Sequence, residues 1–246
     1  MEKVSIIIIT LNEEKYLPRL LDSLKQQTYN DFEIIVSDSN SNDKTINVAK
    51  EYSKDFKEFK IKQLGVAKGP AYGRNQGVKL AKYENLLFLD ADTILKKDFL
   101  ERMIKIKNKR HIDCASFYYG NYIGRKPLIK ILWAIINFFM FLIQATKKPA
   151  ATGAFVYSTK EIYNKLKGFN ETISYAEDTD YARKSLRLGK YRMIQLKPHY
   201  DPRRFEKKGI INYFIETAGY NIKQLFNEIK FTKSNCNYKI GLNYKN

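Results

Sequence analysis

Near the N-terminus, Val4–Thr10 reads Val-Ser-Ile-Ile-Ile-Ile-Thr, a continuous β-branched run with no apolar-polar alternation. A strand with one wet face alternates, so a run of this kind belongs to a strand covered on both faces. The chain that follows repeats the requirement. Glu14–Gln27 places Leu17, Leu20, Leu21 and Leu24 at the spacing of an amphipathic helix. Phe32–Val36 is a second buried strand, Asp43–Tyr52 a helix, Phe59–Leu64 a short strand, Ala71–Ala81 a helix, and Asn85–Leu89 a strand that ends in Asp90. This order predicts an α/β fold, a mostly parallel central sheet flanked by helices. In such sheets ligands bind beyond the carboxyl ends of the strands, so chemistry is expected in the residues that follow them.

Beyond residue 95 the alternation loosens. Asp98–Asn108 is helical in pattern, Asp113–Tyr119 a strand, Leu128–Ala145 a long apolar helix, Ala154–Tyr157 a strand and Thr159–Leu166 a short helix. Asp178–Leu188 is a further helix and Tyr191–Gln195 a strand. Gly209–Lys230 carries a helical stripe of Ile211, Phe214, Ile215, Ala218, Ile222, Leu225, Phe226 and Ile229, followed by a basic, polar tail. A length of 246 residues suits one large domain with a small appendage, and 44% hydrophobic residues exclude global disorder. The net charge of +18 favours anionic partners, whether nucleotide phosphates, acidic lipid headgroups or nucleic acid. Cys114 and Cys236 have neither zinc-ligand spacing nor the density of a disulfide framework, which points to a reducing, cytoplasmic setting. Met1-Glu2-Lys3 runs straight into the first strand, with no signal-peptide pattern.

The first strand ends in Thr10-Leu11-Asn12-Glu13-Glu14. The absence of glycine there excludes a dinucleotide-binding G-x-G-x-x-G turn, and no phosphate-loop motif is present. Asn12 either caps the next helix or, with its neighbours, meets a base or ribose. The second strand runs out into Asp38-Ser39-Asn40-Ser41-Asn42-Asp43, where Asp38 suits a base N–H or a ribose hydroxyl, and an Asx turn is the structural alternative. The strongest local signal is Asp90-Ala91-Asp92 directly after a buried strand. Two carboxylates this close repel unless a cation lies between them, and hard cations such as Mg2+ or Mn2+ take carboxylate and phosphate oxygens together.

Weaker signals surround this pair. Lys68-Gly69-Pro70-Ala71-Tyr72-Gly73-Arg74-Asn75-Gln76-Gly77 offers Lys68 and Arg74 to phosphates and glycines for a close backbone approach. Glu177-Asp178 at a helix start offers a carboxylate as a catalytic base or a cap. His199 is a candidate third metal ligand or phosphate contact, and Arg203 and Arg204 are candidate diphosphate partners.

Taken together, Ser5–Glu14, Asp38-Ser39-Asn40-Ser41, Asp90-Ala91-Asp92 and Glu177-Asp178 resemble a family 2 glycosyltransferase with the GT-A fold over residues 1–205. Lys167-Gly168-Phe169-Asn170-Glu171 is similar to that family's Gly-Gly-Phe-Asp-Glu segment, with Lys167 in place of the first glycine. The resemblance implies a UDP- or GDP-sugar donor, a divalent cation and inversion at the anomeric carbon. It assigns Thr10, Asn12, Glu13 and Asp38 to the base and ribose, Asp90 and Asp92 to the metal, with Asp92 the more direct ligand, and Asp178 to deprotonation of the acceptor. Residues 1–95 are then the nucleotide-binding half, 96–205 the acceptor-binding half, and 206–246 an amphipathic helix with a basic tail. Ser39 stands where many members carry a second acid, which leaves uridine and guanosine both open.

Leu128–Ala145 approaches the roughly 20 residues that span a bilayer. A crossing would separate Asp90 and Asp92 from Asp178. The expectation is therefore a helix in the membrane interface or docked on the domain, with Trp133 and the phenylalanines buried and Lys130, Asn137 and Gln144 forming one polar stripe. With the basic charge, this points to a peripheral protein on an anionic membrane surface, the inner face of the cell membrane, acting on a lipid-linked or glycan acceptor. The acids at the strand ends would repel a nucleic-acid backbone. Two alternatives are a catalytically inactive membrane-surface module and a sugar nucleotidyltransferase, although the latter needs a glycine-rich basic turn that Thr10–Glu14 lacks.

Overall fold

A computed structural model describes residues 2–118, 120, 127–144, 151, 155–174 and 176–200. The first half follows the expected alternation: β1 (Val4–Thr10), α1 (Leu17–Lys25), β2 (Phe32–Asp38), α2 (Thr45–Tyr52), β3 (Phe59–Gln63), α3 (Pro70–Val78) and β4 (Asn85–Asp90). After it come β5 (Thr93–Ile94), α4 (Phe99–Arg110), β6 (Cys114–Phe117), α5 (Pro127–Gln144), β7 (Phe155–Thr159), α6 (Lys160–Leu166), α7 (Glu177–Ser185), β8 (Tyr191–Ile194) and β9 (His199–Tyr200). The expected helix and tail over 206–246 lie outside the described residues.

The main sheet has the order β3-β2-β1-β4-β7-β6-β8. Four of its six pairings are parallel, and the two antiparallel ones both involve β7. From β1 the chain moves outward through α1 to β2. From β3 it returns through α3 to β4 on the other side of β1. The order thus reverses between β1 and β4, and the crevice at their carboxyl ends is where such sheets bind ligands.

The unbroken run of β1 is explained by two cores. Ile6 and Ile8 pack under α1, α2 and α4, while Ile7 faces the core beneath α3, α5, α6 and α7. Strand β4 divides in the same way, with Leu87 and Leu89 on one side and Leu86 and Phe88 on the other. In α1 the predicted stripe of Leu17, Leu20, Leu21 and Leu24 is fully buried, each side chain contributing roughly 2 kcal/mol relative to exposure.

Several expectations change. Helix α1 starts at Leu17 rather than Glu14 because the preceding N–H groups bond elsewhere, Glu13 N to Thr45 Oγ1 and Glu14 N to Asp43 Oδ2. Asn12 therefore does not cap it; Tyr16 holds the cap position. Strands β5 and β9 pair antiparallel, but two residues each are too short to show a period. Helix α5 is docked on the domain, through Trp133, Met140, Ile143 and Gln144. Trp133 is buried as expected, but Phe138, Phe139 and Phe141 point outward, with Phe138 63% exposed. The polar stripe accounts for the difference. Gln144 accepts from the Met193 N–H at 2.7 Å and so turns its own side of the helix toward β8.

Candidate active site

Thr10 and Asp38 are register partners at the carboxyl ends of β1 and β2. The Thr10 hydroxyl donates to Asp38 Oδ1 at 2.7 Å, and Ser41 donates to the same carboxylate from its N–H at 2.9 Å and its hydroxyl at 2.5 Å. Asn12 takes a left-handed backbone, φ 58°, which brings its N–H to Ser41 Oγ and its side-chain oxygen to the Asn42 N–H. With Glu13 N bonded to Thr45, the two loops are stitched into one wall. The structure thus brings Thr10, Asn12, Glu13 and Asp38 together, with Asp38 1% exposed and Asn12 on the open rim.

Asp90 closes β4, and the Thr93 hydroxyl donates to its carbonyl at 2.7 Å, turning the chain back through Asp92. Strand β9 then pairs with β5 so that His199 lies opposite Ile94. This places the histidine's strand beside the residues that directly follow Asp92.

The centre of the site is Arg74. It is 2% exposed, lies 3.1 Å from Asp90 Oδ1 through Nη2, and pairs through Nη1 with Glu177. Burial works against its charge, but the carboxylates of Glu177, Asp90 and Asp178 outweigh it and hold the guanidinium above its ordinary pKa. Arg74, a candidate phosphate contact by sequence, has its guanidinium enclosed among carboxylates of this chain. Arg74 joins the strand of the Asp90-Ala91-Asp92 motif to the first turn of α7, where Asp178 is 3% exposed. Acids at 177, 178 and 180 favour this helix start. Its entry is strained: Ala176 has φ 59°, a left-handed conformation that costs a β-carbon residue roughly 1 kcal/mol or more.

Asn75 was not singled out from the sequence. Its Oδ1 accepts from the Phe169 N–H at 2.9 Å and the Tyr163 hydroxyl at 3.0 Å. Its Nδ2 donates to the Phe169 carbonyl and to Glu171. This clamps the Lys167–Glu171 segment to α3. Phe169 then stacks on Tyr181 at 4.2 Å, meets Phe88 edge-on at 4.9 Å and lies 5.3 Å beneath the Arg74 guanidinium. Lys167 and Gly168 are both left-handed, φ 58° and 81°, which is why glycine suits the segment and why the lysine there is strained. The only sequence signal for Asn75 was its place next to Arg74.

The glycines of α3 are also corrected. A β-carbon on Gly77 would lie 2.4 Å from Ile7 Cγ2, and one on Gly73 3.2 Å from Ile9 Cγ2. They allow α3 to pack closely on β1 rather than a ligand to approach. Lys68 is exposed beside them, its ammonium 5.1 Å from the Tyr72 ring. Arg203 and Arg204 lie outside the described residues.

Among the described residues no three His, Cys, Asp or Glu side chains form a metal-binding group. The candidate donor set is the carboxylate pair Asp90 and Asp92, with His199 carried on the adjoining strand. Magnesium-like ions are held by one or two carboxylates with substrate phosphates supplying the rest, and the pair fits that kind of site.

A sequence model described as glycosyl transferase family 2 matches residues 5–167. The poly(ribitol-phosphate) beta-N-acetylglucosaminyltransferase TarS of Staphylococcus aureus is 34% identical over 116 residues, 46% of this chain and 20% of TarS. The UDP-Glc:alpha-D-GlcNAc-diphosphoundecaprenol beta-1,3-glucosyltransferase WfgD of Escherichia coli is 33% identical over 163 residues, 66% of this chain and 54% of WfgD. The chain thus spans between about a fifth and about half the length of these relatives. The crystal structure of S. aureus TarS 1-349 superposes with TM-score 0.65 at 25% identity, covering 83% of this chain and 62% of that one. The mannosyltransferase PcManGT from Pyrobaculum calidifontis, solved with GDP-Man and Mn2+, shares the fold at TM-score 0.65 and 21% identity, covering 80% of this chain and 56% of its own. With a GT-A fold and a family match over more than half its length, the chain belongs to glycosyl transferase family 2.

Proposed function

We propose that this chain transfers a sugar from a UDP- or GDP-sugar, with inversion, to a hydroxyl on a polyol-phosphate or polyprenol-linked glycan held at a membrane surface. The observation that carries the reading is the buried Asp90–Arg74–Glu177 chain. It ties the candidate donor end of the sheet to the helix that bears the candidate base, so the two act in one crevice. The charge of the two relatives' substrates, a poly(ribitol-phosphate) and a diphosphoundecaprenol, suits a protein of net charge +18.

In this reading residues 1–95 hold the nucleotide and 96–205 the acceptor. The wall of Thr10, Asn12, Glu13 and Asp38 receives the base and ribose. Asp38, fixed by Thr10 and Ser41, is pre-oriented before the donor arrives. Asp90 and Asp92 would hold a Mg2+ or Mn2+ ion, with Asp92 the direct ligand, since Arg74 already engages Asp90, and His199 beside them. When bound, the cation neutralises charge on the diphosphate leaving group. Lys68 on the open rim, with Arg203 and Arg204, adds positive charge for the same phosphates.

Asp178 accepts the proton of the acceptor hydroxyl. The oxygen bonds to the anomeric carbon from the face opposite the diphosphate, the bond to the diphosphate oxygen breaks, and a nucleoside diphosphate leaves. Glu177 is spent on Arg74, so it positions its neighbour rather than taking the proton. We place the protein at the inner face of the cell membrane, as a peripheral enzyme.

Incubation with a panel of nucleotide sugars and Mn2+, with chromatography of the released nucleotide, tests the reading. Asp178→Asn is expected to lower transfer by roughly a hundredfold or more and to leave donor affinity within about twofold. Full transfer by Asp178→Asn would overturn the base assignment. Donor binding without turnover by the wild type would indicate an inactive binding module.

A further inference from the structure

Eight large hydrophobic residues stand exposed among the described residues, and six of them lie on α5: Ile131, Ile135, Phe138, Phe139, Phe141 and Leu142, between 47% and 63% exposed. They occupy one side of the helix, opposite Trp133, Met140 and Ile143, which are 5–6% exposed against the domain. No charged residue occurs from Ile131 to Gln144, so from Ile131 to Leu142 the outward side is apolar surface. Soluble monomers rarely carry such a contiguous patch without a partner. At 18 residues the helix is about 27 Å long. Among the described residues no helix is long and apolar enough to cross a membrane, and α5 is held sideways by its buried face.

We infer that this face of α5 docks into the headgroup boundary of an anionic bilayer. Charge selects the lipid surface over a protein partner. In sequence the helix is bracketed by Arg125–Lys126 on one side and Lys147–Lys148 on the other, in a chain of net charge +18. An apolar stripe with cations at both ends matches acyl chains beneath phosphate headgroups.

The docking also orients the crevice. The C-terminal end of α5 is pinned at the carboxyl edge of the sheet, where Gln144 accepts from Met193 N and donates to the Tyr118 hydroxyl. A few residues later the Ala151 N–H donates to Thr179 Oγ1, next to Asp178. In sequence, the membrane-facing helix is thus followed closely by a residue bonded to the helix of the candidate base. Resting on the transfer proposed above, this places an acceptor whose lipid end lies in that bilayer within reach of Asp178.

Flotation of the full chain tests the docking, with vesicles of phosphatidylcholine alone or mixed with phosphatidylglycerol, at low and high salt. The wild type is expected to float with the anionic vesicles at low salt. Ile135→Gln/Phe138→Gln is expected to partition at least about tenfold less, with unchanged circular dichroism, melting temperature and nucleotide release. A wild type that stays at the bottom of the gradient, or a variant that floats equally, would overturn the inference. So would a variant with a clearly lowered melting temperature, which would mean that residues 209–230 cover the face, or a wild-type dimer that the variant dissolves. Nucleotide release from donor, measured on the same samples, keeps the proposals apart: an active protein that does not float removes only the docking, and a floating protein that never releases nucleotide removes only the transfer.

Discussion

Arg74 and Asp90 lie 3.1 Å apart, Nη2 to Oδ1, in a pocket where the arginine is 2% exposed. Glu177 takes the other arm of the same guanidinium. A buried ion pair of this kind contributes little net stability against a well-packed apolar substitute, but removing one member takes from the others a charge that offsets their burial. Arg74→Ala is therefore expected to destabilise the fold by about 3–5 kcal/mol in urea unfolding. Arg74→Lys keeps the charge but lacks the planar fork that reaches two carboxylates, so it should fold while transferring sugar at least about tenfold more slowly. Unchanged stability in Arg74→Ala would show that the bridge is not what holds the crevice together.

The glycines of α3 separate packing from helix propensity. Alanine forms helix better than glycine by about 1 kcal/mol. At position 77 its β-carbon would lie 2.4 Å from Ile7 Cγ2, in the middle of β1. Gly77→Ala is expected to destabilise by about 1–3 kcal/mol, because overpacking outweighs propensity. At position 73 the nearest atom is 3.2 Å away, and Gly73→Ala should cost less than Gly77→Ala. Chemical denaturation of the two variants decides the order.

Cys114 is buried and is expected to be inert in the native state. Burial pushes its thiol up from an ordinary value of 9.0 to about 12. Alkylation at mildly alkaline pH followed by peptide mass mapping should leave Cys114 unmodified until the chain is unfolded. In the unfolded chain the thiol ionises near 9, and in the folded one near 12, so the unfolded state binds fewer protons across that window. Its contribution to stability is complete below 9 and declines as pH rises toward 12. Cys114→Ala should remove that part of the slope.

The first half of the fold was legible because each element is long enough to show its period. Val4–Thr10 can only be a strand buried on both faces, and the leucines of α1 can only face one core. Asp90 and Asp92 stood out because two acids one residue apart after an apolar run have few structural uses. What escaped notice depends on contacts distant in sequence. Nothing near Arg74 announces that Glu177 completes its bonding, and nothing near Asn75 announces the Phe169 backbone. The antiparallel insertion of β7 between β4 and β6, and the β5–β9 pair, come from segments too short or too late in the chain to fix their neighbours. The phenylalanines of α5 were placed inside because periodicity gives a face but not its direction; Gln144, bonded to β8, sets that direction.

The central claim is that Asp90 and Asp92 grip a divalent ion and, through it, the donor's diphosphate. Calorimetric titration of UDP and GDP into the wild type and Asp92→Asn, with Mn2+ and with chelator, tests it most directly. The account predicts that one nucleotide binds in Mn2+, that the chelator abolishes most of the affinity, and that Asp92→Asn weakens it at least about tenfold, roughly 1.4 kcal/mol. Equal affinity with and without metal, undiminished in Asp92→Asn, would contradict it.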